Sequence, residues 1–223
     1  MSRSFSELKE KVLEANLGLK EAGLVAGTSG NVSGINENRD LVVIKPSGVE
    51  FSDLRKDDLS VVDLDGNIID GPYKPSVDTG SHLVVYRERP DVASVVHTHS
   101  PFATSFAARG ESIRVLTTTH AALFGGPIPI SDYAVIGEEE IGNEIVRHVG
   151  ESSAVLLRSH GVFTIGSTID KALRAAIYVE ECAQVNHLSL ALGKVEWMPE
   201  KVVHAARSWY LSDYGQSPVG SGS

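Results

Sequence analysis

The residues best suited to chemistry are three histidines that follow apolar runs. His97 and His99 stand two positions apart at the end of the Val-rich run 92–99, so in a strand both imidazoles project from one face. His160 follows a second apolar run, 154–157, and could converge on the same point. Three neutral imidazoles with an open position suit a catalytic zinc ion, and also other first-row divalent ions. Spacing alone leaves a second interpretation open, in which these histidines are hydrogen-bonded residues at strand ends.

Three short turns are suited to binding an anion. Their backbone N–H groups, hydroxyls and amide come from Gly30, Asn31, Ser47, Gly48 and Ser76. Lys45 and Lys74 supply positive charge, each within a Lys-Pro-Ser sequence. Donors at turns hold phosphate without needing a basic surface. Small polar residues also fill ordinary turns, but the repetition favours a phosphate site.

Asp78 is the third candidate, because it directly precedes a predicted helix. A carboxylate beside a metal-bound hydroxyketone could act as a general acid or base. The alternative is an ordinary helix N-cap, and the residues alone favour that alternative. The histidines in helix-like stretches, His82, His148, His187 and His204, are interpreted as structural or surface residues.

The elements that must position these residues follow from hydrophobic periodicity and turn signals. The pattern predicts helices over 6–22, 79–89 and 168–192, and strands over 41–44, 59–64, 68–69, 92–99 and 154–161. Thr168 is suited to cap the last helix. Alternation of strands and helices predicts an α/β fold in a single domain over residues 1–216. The Gly- and Ser-rich tail, 217–223, is predicted to be disordered.

Composition limits the function classes. The chain of 223 residues has a formal net charge of −9, which argues against nucleic acid or an anionic membrane as the main partner. Cys182 is the only cysteine, which fits a reducing compartment. No apolar run reaches the roughly 20 residues that span a bilayer. We therefore expect a cytoplasmic protein.

The ordered set of motifs resembles the class II aldolase and L-ribulose-5-phosphate 4-epimerase family, including its L-fuculose-phosphate aldolases. The resemblance extends from Leu24 to Gln216 and rests on Gly30-Asn31-Val32-Ser33, Lys45-Pro46-Ser47-Gly48-Val49, Lys74-Pro75-Ser76 with Asp78, His97-Thr98-His99-Ser100, Thr118-Thr119-His120, Ser159-His160-Gly161 and Tyr214-Gly215-Gln216. Each motif alone is weak, whereas the ordered set is specific.

The resemblance implies a three-layer α/β fold whose central mixed, mainly antiparallel sheet is flanked by helices. It implies a homotetramer with active sites between subunits, and Zn²⁺ (or Mn²⁺ or Co²⁺) as cofactor. The implied metal ligands are His97, His99 and His160; the implied phosphate-binding residues are Asn31, Lys45, Ser47, Gly48 and Ser76. Asp78 takes the catalytic carboxylate position, and Tyr214 reaches a neighbouring site as a proton donor.

The implied chemistry passes through an enediolate that the cation stabilises. Release of the aldehyde makes an aldolase, whereas rotation and rejoining makes a 4-epimerase. The acids that many relatives carry just after the histidine are replaced by Ala121 and Ala122, which favours an aldolase forming or cleaving a phosphorylated ketose, with dihydroxyacetone phosphate as one partner. His120 could replace the missing acid. Val77 stands where many relatives have a second serine, so the phosphate site has one hydroxyl fewer.

Three alternatives stay open after these departures. The 4-epimerase uses the same retro-aldol chemistry. A decarboxylase of a phosphorylated keto acid would pass through a similar enediolate. A non-catalytic adducin-like module is disfavoured, because the three histidines and Asp78 are intact.

Overall fold

The computed structural model describes residues 3–136 and 139–214. Gly215 and Gln216 of the C-terminal motif, and the predicted disordered tail 217–223, lie outside these residues. None of the described helices is both long enough and apolar enough to cross a bilayer.

Helices and strands are interspersed along the described chain. The helices are α1 (Arg3–Glu21), α2 (Thr79–Glu88), α3 (Pro101–Arg109), α4 (Thr118–Phe124), α5 (Glu140–Val149), α6 (Ile169–Ala191) and α7 (Glu200–Asp213), with a short 3₁₀ turn at Lys56–Asp58. The strands are β1 (Asn31–Ile35), β2 (Leu41–Ile44), β3 (Ser60–Asp63), β4 (Ile68–Asp70), β5 (Ser94–Thr98), β6 (Ala154–Leu157) and β7 (Gly161–Gly166).

The strands form one sheet in the order β4-β3-β2-β1-β5-β7-β6. Every neighbouring pair in that order is antiparallel. A parallel contact occurs as an isolated bridge between Ile130 and Leu156. The predicted α/β fold with a mainly antiparallel sheet is therefore confirmed, and β5 lies inside the sheet, between β1 and β7.

Helices cover both faces of the sheet, because neighbouring residues of a strand point to opposite sides. Val42 and Val95 belong to a core closed by α2 and α5. Val43 and Val96 belong to a second core closed by α1 and α6. A third cluster packs α3 and α6 against β6 and β7. These layers hold β5 on both faces, so the histidines at its end stand on a rigid support.

Most of the predicted elements near the site are confirmed. The two strands flanking Asp65-Gly66-Asn67 pair as β3 and β4. The side chain of Thr168 accepts a hydrogen bond from the backbone N–H of Lys171, as expected of an N-cap.

One predicted strand, 154–161, is wrong at its C-terminal end. The strand stops at Leu157, and the chain reverses so that Leu157 pairs with Gly161 at the start of β7. Residues 158–160 form the hairpin loop, in which Ser159 takes the left-handed conformation with φ 59°. His160 therefore lies in a hairpin loop and not at the end of a strand.

Candidate active site

The three predicted metal-binding histidines come together at one end of the sheet. His97 is the fourth residue of β5, His99 follows that strand, and His160 lies in the β6–β7 loop. One potential ligand atom from each lies within 4.8 Å of the others. Antiparallel pairing brings the loop that follows β6 beside the end of β5, which explains how histidines far apart in the sequence meet.

Hydrogen bonds at Nδ1 orient two of these imidazoles. His97 Nδ1 lies 2.9 Å from the carbonyl oxygen of Val162, so this nitrogen carries the proton and donates it. His99 Nδ1 lies 2.8 Å from the Ser29 hydroxyl. A protonated Nδ1 leaves the Nε2 lone pair available, which is the usual arrangement of a metal-binding histidine.

Burial keeps the three imidazoles neutral. It lowers the pKa of His97 to about 3, against the opposing effect of Asp78. Burial also lowers the pKa values of His99 and His160. Within the described residues, the buried Nδ1 atom of His160 has no hydrogen-bond partner. Neutral imidazoles grouped within ligand distance fit a divalent cation of the borderline-soft class.

The packing beneath the histidines is tight. The ring of Phe163 stacks against His97 with centroids 4.2 Å apart and an interplanar angle of 19°. Gly161, two positions before Phe163 on β7, also lies against the cluster, and an added Cβ would stand 2.5 Å from His99 Cδ2. The imidazoles thus pack against both a ring and a glycine of β7.

Asp78 is a buried carboxylate that faces this cluster. Its Oδ2 accepts hydrogen bonds from Asn31 Nδ2 at 2.7 Å and from the Ser76 hydroxyl at 3.3 Å. Asp78 stands at the N-cap position of α2, but its side chain makes no capping hydrogen bond to the helix. Burial opposes ionisation, but His97, His82 and the Asn31 amide outweigh it and lower the pKa of Asp78.

The two Lys-Pro-Ser segments form one paired structure beside the carboxylate. Pro46 and Pro75 form an antiparallel bridge. The backbone N–H of Ser47 donates to Lys74 O at 2.9 Å, and that of Ser76 donates to Lys45 O at 3.1 Å. Both N–H groups are therefore committed to the backbone, and these two serines offer an anion only their hydroxyls.

Lys45 provides the positive charge of this region. The residue is 1% exposed, and its ammonium donates to the carbonyl oxygen of Thr28 at 3.2 Å. It also lies 4.7 Å from the centre of the Phe51 ring. No described carboxylate lies within 4.0 Å of the ammonium, and burial lowers its pKa although Glu50 opposes this. A buried ammonium without a carboxylate partner is a natural anion-binding group.

One cavity of 270 Å³ joins these groups. It is lined by Thr28, Ser29, Gly30, Asn31, Lys45, Pro46, Ser47, Gly48, Ser76, Val77, Asp78, His97, His99, Ile136 and His160. All of the expected metal ligands and phosphate-binding residues are in this set, together with Asp78. Ser29 and Ile136 also line this cavity, although no sequence motif identifies them as site residues. Ser29 belongs to a polar loop visible in the sequence, whereas nothing in the sequence around Ile136 points to the site.

His120 and Tyr214 lie elsewhere in the single chain. His120 is fully buried, with Nε2 3.1 Å from Gly126 O. Tyr214 is 64% exposed and stacks on Tyr210, with ring centroids 4.8 Å apart. Tyr214 lines a separate cavity of 420 Å³ together with Ala122. Neither side chain is brought to the histidine cluster of its own chain.

The other histidines divide into buried and surface groups. His82 is fully buried in α2 and contacts Ser33. His148 lies 3.1 Å from Glu144 and His204 lies 3.5 Å from Glu200, each one helical turn away. His82 is a polar core residue close to the site, and no motif in the sequence selects it.

An α/β fold that places three imidazoles, a carboxylate and a buried ammonium around one cavity provides a candidate site for metal-dependent chemistry. Residues 10–187 match the family described as the Class II Aldolase and Adducin N-terminal domain. The chain belongs to this family, and the resemblance inferred from its motifs is confirmed.

Two kinds of relative are similar to this chain. L-Ribulose-5-phosphate 4-epimerase UlaF of Salmonella typhi is 42% identical over 190 residues, which cover 80% of this chain and 83% of that protein. The solved structure of an L-fuculose 1-phosphate aldolase has a TM-score of 0.87 and 26% identity, covering 95% of this chain and 98% of that one. The solved structure of the L-fuculose-1-phosphate aldolase of Thermus thermophilus has a TM-score of 0.71 and 27% identity. The match covers 84% of this chain and 98% of that one.

Proposed function

We propose that this chain is a metal-dependent enzyme that breaks and reforms a C–C bond of a phosphorylated ketose, with 4-epimerisation of L-ribulose 5-phosphate as the net reaction. The observation that carries the proposal is the single cavity shared by the histidine cluster, Asp78 and Lys45. A non-catalytic interaction module needs none of these groups in one cavity.

His97, His99 and His160 would hold the cation, because their neutral imidazoles converge within 4.8 Å. When bound, the cation supplies positive charge for the oxygen anion that develops as the C–C bond breaks. Zinc is the proposed ion, with manganese or cobalt as alternatives.

Lys45 would bind the phosphate, assisted by the hydroxyls of Ser47 and Ser76 and by Gly48 at the cavity wall. The desolvated ammonium forms strong charge-assisted hydrogen bonds with an anion. Asn31 takes a different part, since its amide donates to both Ser76 and Asp78. In this position the Asn31 amide supports the Asp78 carboxylate. Its N–H groups can reach the phosphate only after they release Asp78.

Asp78 would act as the general base. Its carboxylate accepts the proton of the C4 hydroxyl, the C3–C4 bond breaks, and its electron pair forms the enediolate while C4 becomes an aldehyde. Rejoining the other face of that aldehyde returns the proton and inverts C4. The proton and the electron pair thus both return to the substrate, and Asp78 ends the cycle as a carboxylate.

Retention of the aldehyde decides between the two outcomes. In L-ribulose 5-phosphate the phosphate belongs to the aldehyde fragment, so a phosphate-binding cavity retains that fragment for rejoining. In a ketose 1-phosphate the phosphate belongs to the enediolate fragment, and the aldehyde is free to leave. The 42% identity to a 4-epimerase supports the first outcome.

An aldolase acting on a ketose 1-phosphate is the second candidate, and it is the interpretation that the sequence alone favours. It is supported by Ala121 and Ala122, neither of which can donate a proton. Ala121 is fully buried, while Ala122 shares a cavity with Tyr214. We propose that Tyr214 serves a neighbouring subunit of a homotetramer, because within one chain it lines a cavity separate from the histidines.

The deciding experiment incubates metal-quantified enzyme separately with L-ribulose 5-phosphate and L-fuculose 1-phosphate and follows products by NMR. D-Xylulose 5-phosphate from the first substrate establishes the epimerase, and dihydroxyacetone phosphate from the second establishes the aldolase. His99→Ala should lose both metal and activity, while His204→Ala, on the exposed face of α7, should lose neither. A fully active His99→Ala variant without bound metal would refute the mechanism.

A further inference from the structure

A stripe of polar side chains runs along the buried face of α2 and ends at the active site. Asp78, His82 and Tyr86 stand at intervals of four, so they lie one above the other on one face of the helix. His82 is 0% exposed and Tyr86 is 2% exposed. Polar residues at such positions require partners, since burial of an unpaired polar group is costly.

Strand β1 supplies those partners. Asn31 and Ser33 are two positions apart and project from the same face of the strand. Asn31 Nδ2 donates to Asp78 Oδ2 at 2.7 Å. The Ser33 hydroxyl lies 2.7 Å from His82 Nδ1 and 2.7 Å from the Tyr86 hydroxyl. Asn31 therefore holds Asp78, and Ser33, the next residue on the same face of β1, holds His82.

The hydrogen-bonded chain selects one tautomer of His82. Burial raises the pKa of Tyr86, so its hydroxyl keeps its proton and can donate it. Both hydroxyl protons are used when Tyr86 donates to Ser33 and Ser33 donates to His82 Nδ1. If the donors are reversed, the Tyr86 proton has no acceptor within this set of hydrogen bonds. His82 Nδ1 is then the acceptor, and Nε2 carries the hydrogen.

The remaining nitrogen of His82, Nε2, is the one available to act on the site. Nε2 is buried and has no hydrogen-bond partner among the described residues. Long side chains of a helix lean toward its N-terminus, and for His82 that is the turn of Asp78. The Asp78 carboxylate is also the charged group that acts on His82.

We propose that His82 is a positioning residue for Asp78: the Tyr86–Ser33 chain fixes its tautomer, and its Nε2–H, which has no hydrogen-bond partner among the described residues, orients the carboxylate by charge–dipole attraction from the core side. This inference rests on the proposed role of Asp78 as the base. Asn31 donates a hydrogen bond to the same carboxylate from the strand, so this hydrogen bond and the proposed attraction to His82 together limit its rotation.

The tautomer is tested without any assay of activity. In protein labelled with ¹⁵N at histidine, imidazole NMR should show His82 with an unprotonated Nδ1 and a protonated Nε2. Ser33→Ala removes one hydroxyl with little change of volume, and should shift the Nδ1 resonance of His82. A spectrum with the proton on Nδ1 in the unaltered protein overturns the inference, even if the substrate assignment is also wrong.

The restraint on Asp78 is tested with two amide substitutions. Gln at position 82 can place a donor near Nε2, whereas Asn can replace only the contact at Nδ1. We expect His82→Asn to lower kcat on the order of tenfold, with KM and metal content unchanged, and His82→Gln to recover most of that loss. Equal losses in the two variants would make His82 a structural core residue and overturn the proposal.

A double-mutant cycle and a matched control complete the test. The effect of His82→Asn on kcat should disappear in an Asp78→Asn background, because the restrained group is then absent. Thr164→Val removes another fully buried hydroxyl, which donates to Ala172 O at 2.8 Å away from Asp78. That control should lower the thermal midpoint without changing kcat. An undiminished His82 effect without the Asp78 charge contradicts the proposal.

Discussion

Gly161→Ala is expected to weaken metal binding and to destabilise the fold. Gly161 begins β7 directly behind the histidine cluster, and its φ is not in the left-handed region. An added Cβ would stand 2.5 Å from His99 Cδ2, 2.6 Å from Thr98 O and 3.3 Å from His97 Cε1. The methyl group thus meets two of the three proposed ligands and the backbone between them.

The size of the effect follows from these distances. Nonbonded carbon atoms prefer separations of about 3.5 to 4.0 Å, so the His99 ring or the β6–β7 loop must move by about 1 Å. Metal–ligand distances tolerate only about 0.2 Å. We therefore expect zinc affinity to fall by about 10- to 100-fold. The same overpacking should lower the free energy of unfolding by about 1 to 3 kcal/mol.

Zinc affinity is measured by competition with a chromophoric chelator, and unfolding by circular dichroism on the metal-free proteins. Gly80→Ala is the matched control, because its Cβ meets nothing within 4 Å. That substitution lies inside α2 and should raise stability by about 0.5 to 1 kcal/mol without altering zinc affinity. Wild-type zinc affinity in Gly161→Ala would refute the account of how these imidazoles are packed.

Three further predictions use groups around the same end of the sheet. Lys45→Met should raise the thermal midpoint, because it removes a buried charge without a carboxylate partner, while the KM for a phosphorylated substrate rises about 10- to 100-fold. Asp78→Asn should keep full zinc content but lose on the order of 100-fold in kcat, because the base is gone; a small loss measured by the NMR assay contradicts this. Burial lowers the pKa of His120 to about 4 from 6.5. Between these values the unfolded chain binds a proton that the folded chain excludes. The stabilisation of the folded state, about 3 kcal/mol, is therefore present above pH 6.5 and is lost as the pH falls to 4. Urea midpoints of His120→Gln should therefore vary less over that range than those of the wild type.

The local elements could be predicted from the sequence because their signals are local. The alternation that places Val95 and Val96 in opposite cores is visible in the residues themselves, and so is the turn between β3 and β4. The spacing of His97 and His99 likewise follows from the geometry of a strand. These features need no knowledge of distant contacts.

The features that the sequence does not reveal depend on pairing between distant segments. The hairpin loop at 158–160 requires Ser159 in a conformation that a serine seldom adopts, so the apolar run from Ala154 predicts a strand that continues too far. The bridge between Pro46 and Pro75 uses up two N–H groups that the turns offer to phosphate. The partner of His82, Ser33, lies on a strand 49 positions away, so no local pattern connects His82 with the site.

Three of the eight buried polar side-chain atoms without hydrogen-bond partners among the described residues lie at or beside the proposed site. Asn31 Oδ1, His82 Nε2 and His160 Nδ1 are buried without hydrogen bonds among the described residues, and Lys45 is buried without a carboxylate. The apolar layers on both faces of β5 stabilise the fold and offset that cost. A protein selected only for stability would replace such groups, whereas a binding site retains them to meet a ligand. The buried Lys45 ammonium, which shares one cavity with three imidazoles, therefore supports the proposal that this cavity binds a charged substrate beside a cation.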